Sequence, residues 1–248
     1  MLRSVVSVAG AAAAACAAGY QTMSPTGQWY GRTFVGLPRG AMQLALTYDD
    51  GPNDPHTLRL LEILAKHEVH ATFFLIGKYV KLRPDLAREI LKAGHAIGNH
   101  TFSHPNLIFA SARRTRRELE TCSQVIQDAL GTESLLFRPP FGGRRPGTLR
   151  VARSLGLEPI MWRVTGYDWQ GKAAQYVEQK VRSQVRGGDV ILLHDGSHVA
   201  FGADRAQTLI ATDHLISWCK SQGSEFLTIP QMLGRTVPSN QFSVLSRD

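Results

Sequence analysis

The sequence predicts one α/β domain whose parallel strands close, or nearly close, into a barrel. Three observations carry this expectation. Short apolar runs alternate with helix-length amphipathic stretches, giving seven strands between residues 41 and 235, and such alternation demands parallel pairing. No second composition regime and no long linker interrupts that span, so one domain fits better than two. Five of the seven strands end in ionisable residues, and a barrel gathers its strand ends on one rim.

The elements follow in order. Arg3, an apolar stretch from Val5 to Ala18 and small residues after it resemble an export signal, too short for a comfortable membrane span. Residues 1–22 are therefore expected to be a signal peptide or membrane anchor, with an Ala-rich N-terminal helix as the alternative. Residues 23–40 lack periodicity and are expected to be a connector. Gln43 to Asp49 is the first strand. Asp54-Pro55 starts a helix, Asp as N-cap and Pro at the first helical position, that runs to about Lys66. Ala71 to Ile76 is the second strand. A helix from Pro84 to Ala93 stops at Gly94, and His95 to Asn99 is the third strand. Ser111 to Leu130 is a long helix ended by Gly131, and Leu135 to Phe137 the fourth strand. Arg145 to Leu155 is helical, Pro159 to Val164 the fifth strand, and Ala173 to Val185 helical up to Gly187-Gly188. Val190 to Leu193 is the sixth strand and Asp204 to Gln222 a helix. Glu225 to Thr228 is the seventh strand, Pro230 to Leu233 a last turn, and residues 236–248 a tail.

Composition limits the partners. The 248 residues are 43% hydrophobic, enough for a sizeable core, and carry a net charge of +8. Such a surface favours polyanions, though the charge is mostly dispersed. The densest cluster, Arg113-Arg114-Thr115-Arg116-Arg117, opens an amphipathic helix with no nucleic-acid motif beside it, so no nucleic-acid partner is expected. Cys16, Cys122 and Cys219 make neither a metal spacing nor a disulfide framework.

The first strand delivers two adjacent carboxylates, Asp49 and Asp50, to its tip, where Gly51-Pro52 turns the chain. Like charges this close need a cation nearby, a metal, an Arg or both. The alternative is a plain turn in which the acids cap the next helix. The other strand ends supply Asn99, His100 and His104, then Arg138, then Asp168 and Trp169, then His194 and Asp195. His100 and His104 are spaced i, i+4, so one helical turn would put both imidazoles on one side, and Pro105 ends that turn. With Asp50 they make a two-His, one-carboxylate set with an open position, the composition of a catalytic zinc site, which iron also accepts.

Thr47-Tyr48-Asp49-Asp50-Gly51-Pro52, His100-Thr101-Phe102-Ser103-His104, Arg138-Pro139-Pro140-Phe141-Gly142, Asp168-Trp169 and Leu192-Leu193-His194-Asp195 together resemble the ordered motifs of the polysaccharide deacetylase family, the NodB-like domain of carbohydrate esterase family 4. The resemblance covers residues 41–235. It implies a distorted (β/α)7 barrel with its active site at the C-terminal ends of the strands and a divalent metal, usually zinc, with cobalt able to replace it. It implies Asp50, His100 and His104 as ligands, Asp49 as general base aligned by Arg138, and His194 as general acid. It also implies the Phe141 N–H as an oxyanion donor, and Trp169 and Leu192 around the acetyl methyl.

The activity so implied is removal of N-acetyl groups from amino-sugar glycans such as peptidoglycan or chitin-like chains. The Val5 to Ala18 stretch adds the expectation of export, to the periplasm, the outside or a membrane or cell-wall anchorage, with a cytoplasmic protein as the alternative. A same-family amidohydrolase or deformylase acting on a small molecule or lipid-linked sugar, and a non-catalytic glycan-binding module, are the alternatives. Two positions depart from the pattern. Phe141 stands where Tyr is usual, which leaves a backbone role intact. Thr165 stands where an Asp is expected to support His194, so that support is expected to be weakened unless Asp168 turns toward the imidazole.

Overall fold

The computed structural model describes residues 16–235. Most of the expected export segment, and the tail after residue 235, lie outside the described residues. Among those described, no helix is long and apolar enough to cross a membrane.

Among the described residues, eight strands form one parallel sheet: β1 (Gln43–Gly51), β2 (Thr72–Leu75), β3 (Ala96–Asn99), β4 (Leu136–Phe137), β5 (Glu158–Pro159), β6 (Val164–Thr165), β7 (Val190–His194) and β8 (Glu225–Phe226). The order is β5-β4-β3-β2-β1-β7-β6, with β8 paired to the start of β1. Residues 16–23 are helical, and after them come α1 (His56–Lys66), α2 (Gly77–Leu82), α3 (Pro84–Lys92), α4 (Ala112–Leu130), α5 (Pro146–Ser154), α6 (Ala174–Gln184), α7 (Ala206–Ser221) and α8 (Ile229–Met232). The result is the expected distorted α/β barrel.

Four details differ from expectation. The fifth strand is broken: residues 160–163 separate β5 from β6, and these two halves are the opposite ends of the sheet. The barrel is open at that seam. The presumed connector fills it, because Phe34 pairs with Ile160 and Gly36 with Asp189, while Phe34, Val35 and Leu37 pack on the barrel interior. The seventh strand is a two-residue addition to the edge of β1 rather than a barrel stave. Asp54 does not cap α1: the helix begins at His56 with no side-chain cap, and the Asp54 carboxylate is bound by the Arg83 guanidinium. By contrast α4 ends as its sequence dictates, Ser111 Oγ accepting from the Arg114 N–H and Gly131 closing the helix at φ 67°.

Strand alternation sorts the side chains. Leu44, Leu46 and Tyr48 of β1, and Ile191 and Leu193 of β7, pack outward against the helices, while Ala45, Val190 and Leu192 point into the barrel. Thr47 and Asp49 continue the inward row of β1, and His194 that of β7. Asp49 and His194 are register partners on neighbouring strands. Phe74 of β2 fills the interior opposite Gly98 of β3. A Cβ on Gly98 would fall on the Phe74 ring, so Gly98→Ala is expected to lower stability by about 1–3 kcal/mol. An unchanged denaturation midpoint would contradict this packing.

Candidate active site

The two acids at the tip of β1 reach one cavity by a backbone device. Alternation alone would send Asp50 outward with Tyr48. Instead the β1–β2 register shifts between Asp49 and Gly51, and Asp50 takes φ 70°, a bulge that turns it inward beside Asp49. Thr101, His104, Phe141 and Tyr167, all at or next to the same site, also have positive φ without being glycine. Such conformations cost on the order of 1–3 kcal/mol each and persist where the surroundings over-determine them.

His100 and His104 do come together, but not on a helical turn. Residues 100–104 are an irregular loop with Thr101 and His104 left-handed. Asn99 Oδ1 accepts from the Thr101 N–H at 2.8 Å, Thr101 Oγ1 from the His104 N–H at 3.1 Å, and Glu118 of α4 holds Ser103. The His100 Nδ1–H donates to the Arg138 carbonyl at 2.8 Å, which leaves its Nε2 lone pair facing Asp50. His104 Nε2 lies 3.1 Å, and His100 Nε2 3.5 Å, from Asp50 Oδ1. Asp50 Oδ1 nevertheless has no hydrogen-bond partner. Three buried donor atoms within 4.8 Å of one another, converging without bonding each other, are what a divalent cation fits. Burial pushes the His100 imidazole down to about 4, against the nearby carboxylates, so it stays in the neutral, ligating form. Burial would raise Asp50, but the imidazoles of His104, His198 and His100 outweigh it and hold the carboxyl well below the usual range.

Asp49 meets the fully buried Arg138, whose Nη1 donates to Asp49 Oδ1 at 2.7 Å and to Thr47 Oγ1 at 2.8 Å. The guanidinium carbon lies 4.1 Å over the Phe74 ring, and Nε and Nη2 donate to the carbonyls of Ile160 and Met161. Arg138 therefore ties β1 to the seam as well as to the acid.

The support of His194 corrects an expectation. Asp168, not residue 165, stands behind it: His194 Nδ1–H donates to Asp168 Oδ1 at 2.9 Å, and the His194 N–H to Asp168 Oδ2 at 2.7 Å. Thr208 of α7 also donates to Oδ2 at 3.0 Å. Tyr167 at φ 53° makes the turn that swings Asp168 back toward β7. Burial would lower the His194 pKa, but the Asp168 carboxylate outweighs it and pushes the imidazole up to about 9. Thr165 Oγ1 accepts from the Tyr167 N–H instead.

These groups line a cavity of about 330 Å³. Asp49, Asp50, His100, His104, His194, Phe141, Trp169 and Leu192 all border it. The Trp169 ring lies edge-on to His194 at 5.2 Å, and Phe141, half-exposed at φ 59°, edge-on to His104 at 4.7 Å. Asp195 turns away: it accepts from Thr57 and packs beside Gly51, and burial pushes it up to about 7. His198 and Trp162 line the cavity without having been marked as principal site residues. His198 stacks on His104 at 4.4 Å, and its N–H donates to Asp50 Oδ2 at 3.2 Å. Its place on the loop after the His194 strand was the available signal. Trp162 was hidden inside the run taken for one unbroken strand.

Comparison with known proteins places the sequence and the fold in one family. The polysaccharide deacetylase family profile matches residues 37–160. A chitooligosaccharide deacetylase of Sinorhizobium fredii is 35% identical over 208 residues, spanning 82% of this chain and 97% of its own. The crystal structure of the Bc1960 peptidoglycan N-acetylglucosamine deacetylase superposes with a TM-score of 0.77 at 31% identity, covering 82% of this chain and 93% of that one. A carbohydrate esterase family 4 pseudoenzyme from Bacillus anthracis superposes with a TM-score of 0.73 at 30% identity, covering 81% and 68%.

Proposed function

The chain belongs to the polysaccharide deacetylase family, and from that premise we propose that it hydrolyses N-acetyl groups on amino-sugar glycans of the peptidoglycan or chitin-like kind. One observation carries the reading: the Asp50–His100–His104 cluster shares a cavity with Asp49, which Arg138 holds from behind, and with His194, which Asp168 holds from behind. A divalent ion held by Asp50, His100 and His104, zinc or cobalt in its place, would polarise the acetamide carbonyl as a Lewis acid and lower the pKa of the attacking water.

The chain's own groups account for the proton movements. Asp49 accepts a proton from the water as its oxygen attacks the acetyl carbon, and Arg138, donating to its Oδ1, holds the carboxylate in place. The Phe141 N–H donates to the oxyanion that develops on the carbonyl oxygen. His194 gives its Nε2 proton to the sugar nitrogen as the C–N bond breaks, so the products are acetate and a free amine. Asp168 stabilises the imidazolium and, by binding Nδ1–H, fixes which nitrogen faces the substrate. Leu192 and Trp169 offer apolar surface to the acetyl methyl. The exposed rings of Trp169 and Phe141 at the rim suit a polymer lying across the mouth better than an enclosed small molecule. Activity outside the cytoplasm, following export through the N-terminal segment, belongs to the same proposal.

The experiment is acetate release from peptidoglycan, chitooligosaccharides and acetylxylan with zinc or cobalt present. Release from an N-acetylated glycan in preference to acetylxylan is expected. No release from any of the three would leave the glycan-binding reading in its place.

A further inference from the structure

Arg144 is as deeply buried as Arg138, yet among the described residues it forms no ion pair. Its guanidinium is held by backbone carbonyls alone: Nη2 donates to Ser24 O and Gly27 O, each at 2.7 Å, and Nη1 to Gly142 O at 3.1 Å. Its own N–H donates to Thr22 O at 3.1 Å. Burial lowers the pKa of this guanidinium, as expected for a charge with no counter-charge beside it. A buried cation of this kind is costly and is retained only where its hydrogen bonds organise something.

What it organises is a junction between two segments. One is the N-terminal stretch, residues 20–33, the last turn of a helix (residues 16–23) and the loop after it, tied together by its own side chains. Trp29 N–H donates to Gln21 Oε1, Gln28 binds Thr33 through three hydrogen bonds, and Tyr30 OH lies 3.1 Å from Thr22 Oγ1. The other is the Pro140–Gly142 turn, where Phe141 at φ 59° and Gly142 at φ 68° are consecutive left-handed residues. The underside of that turn rests on Trp162: a Cβ on Gly142 would lie 2.8 Å from the Trp162 ring. One of its carbonyls, Gly142 O, is taken by Arg144. The turn is thus clamped between an aromatic wall of the cavity and the N-terminal loop.

We propose that residues 20–33 are a strap belonging to the active site, and that Arg144 is the positioning residue through which the strap fixes the turn that presents Phe141. The kinetic part of this proposal rests on the deacetylase reading, and the structural part does not. Arg144 does not border the cavity and touches neither reacting atoms nor the Asp50–His100–His104 cluster, so its effect passes through the geometry of the turn.

The test uses the full chain with two variants. Arg144→Met keeps the stem and removes every donor. Gly27→Ala leaves Arg144 intact but places a Cβ 2.6 Å from Gln21 Oε1 and 3.3 Å from the Gln21 carbonyl, so the Gln21 side chain must move and release the Trp29 N–H that it ties into the strap. Amide hydrogen exchange over residues 139–145 and 20–33 is measured beside kcat, KM and metal content, well below the unfolding temperature. In both variants exchange is expected to rise about tenfold in the two segments together, with β1 and β7 unchanged. kcat is expected to fall by about tenfold, with metal content kept and little change in KM. Arg144→Lys, which keeps the charge and one or two donors, is expected to restore part of both. Exchange that rises in residues 20–33 alone would overturn the proposal and leave Arg144 a mere anchor of the terminus. So would a loosened turn with unchanged kcat. If the wild type releases no acetate, the deacetylase reading fails, and the exchange measurement still decides whether the strap and the turn are coupled. Should Arg144→Met fail to fold, Gly27→Ala decides alone.

Discussion

His104→Ala is expected to lose bound metal and acetate release together. The cluster offers one carboxylate oxygen and two imidazole nitrogens, and deleting one leaves two donors for an ion that takes at least three from protein. Metal content after dialysis is expected to fall below about a tenth of the wild-type value, and turnover by roughly 10³-fold, because Lewis-acid stabilisation is worth several kcal/mol. The loop need not collapse, since Asn99, Thr101 and Glu118 hold it independently of the imidazole. Asp49→Asn is the contrasting variant: Asp49 is bound by Arg138 rather than belonging to the cluster, so it is expected to keep metal and lose turnover. Elemental analysis and acetate assays on the two variants separate the roles. Full metal occupancy with undiminished activity in His104→Ala would remove it from the site.

Asp168→Asn is expected to move the basic limb of the kcat/KM profile downward. His194 donates a proton, so it is competent only while protonated, at pH values below its pKa. Asp168 pushes that pKa up to about 9 against the effect of burial, so the wild-type rate is expected to hold to nearly that pH. The Asn variant keeps the burial and loses the charge, which takes the imidazole to its ordinary value of about 6.5 or lower. At pH 8 only a few per cent would remain protonated, a loss of roughly 30-fold or more that lessens as the pH falls toward 6. The stability linkage has the same sign. A pKa raised on folding contributes stability that is fully present below about 6.5 and is lost as the pH rises through about 9, and the Asn variant should lack that contribution. Thr165→Asp is expected to leave the limb in place, because Asp168 already occupies His194 Nδ1. An unmoved limb in Asp168→Asn would show that another group sets the His194 pKa.

The legible parts of this chain were those written in local pattern. Alternation along β1 and β7 decides which residues face the barrel, so Asp49 and His194 could be placed inward from the sequence. Motif order brought Asp50, His100, His104 and Arg138 to the same rim. What escaped depends on distant partners or on backbone angles that residue type does not announce. Residues 160–163 look like the middle of a strand, but whether they pair is settled by a seam that Phe34 fills from far away in the chain. Asp54 has the chemistry of an N-cap, yet Arg83 takes its carboxylate. His100 and His104 meet through left-handed backbone at Thr101 and His104, not through the helical turn their spacing implied. Asp168 reaches His194 only because Tyr167, itself left-handed, turns the chain back. Arg144 gave no signal at all, since backbone carbonyls in the N-terminal loop hold it and carry no sequence signature.

The most direct measurement is a metal titration of chelator-stripped wild-type protein, followed by acetate release from an N-acetylglucosamine glycan. Stripped protein is expected to release no acetate, and activity to return linearly with added zinc and level off at one ion per chain. Undiminished release from protein holding less than a tenth of an equivalent of metal would contradict the assignment of Asp50, His100 and His104 as the ligands of a catalytic ion.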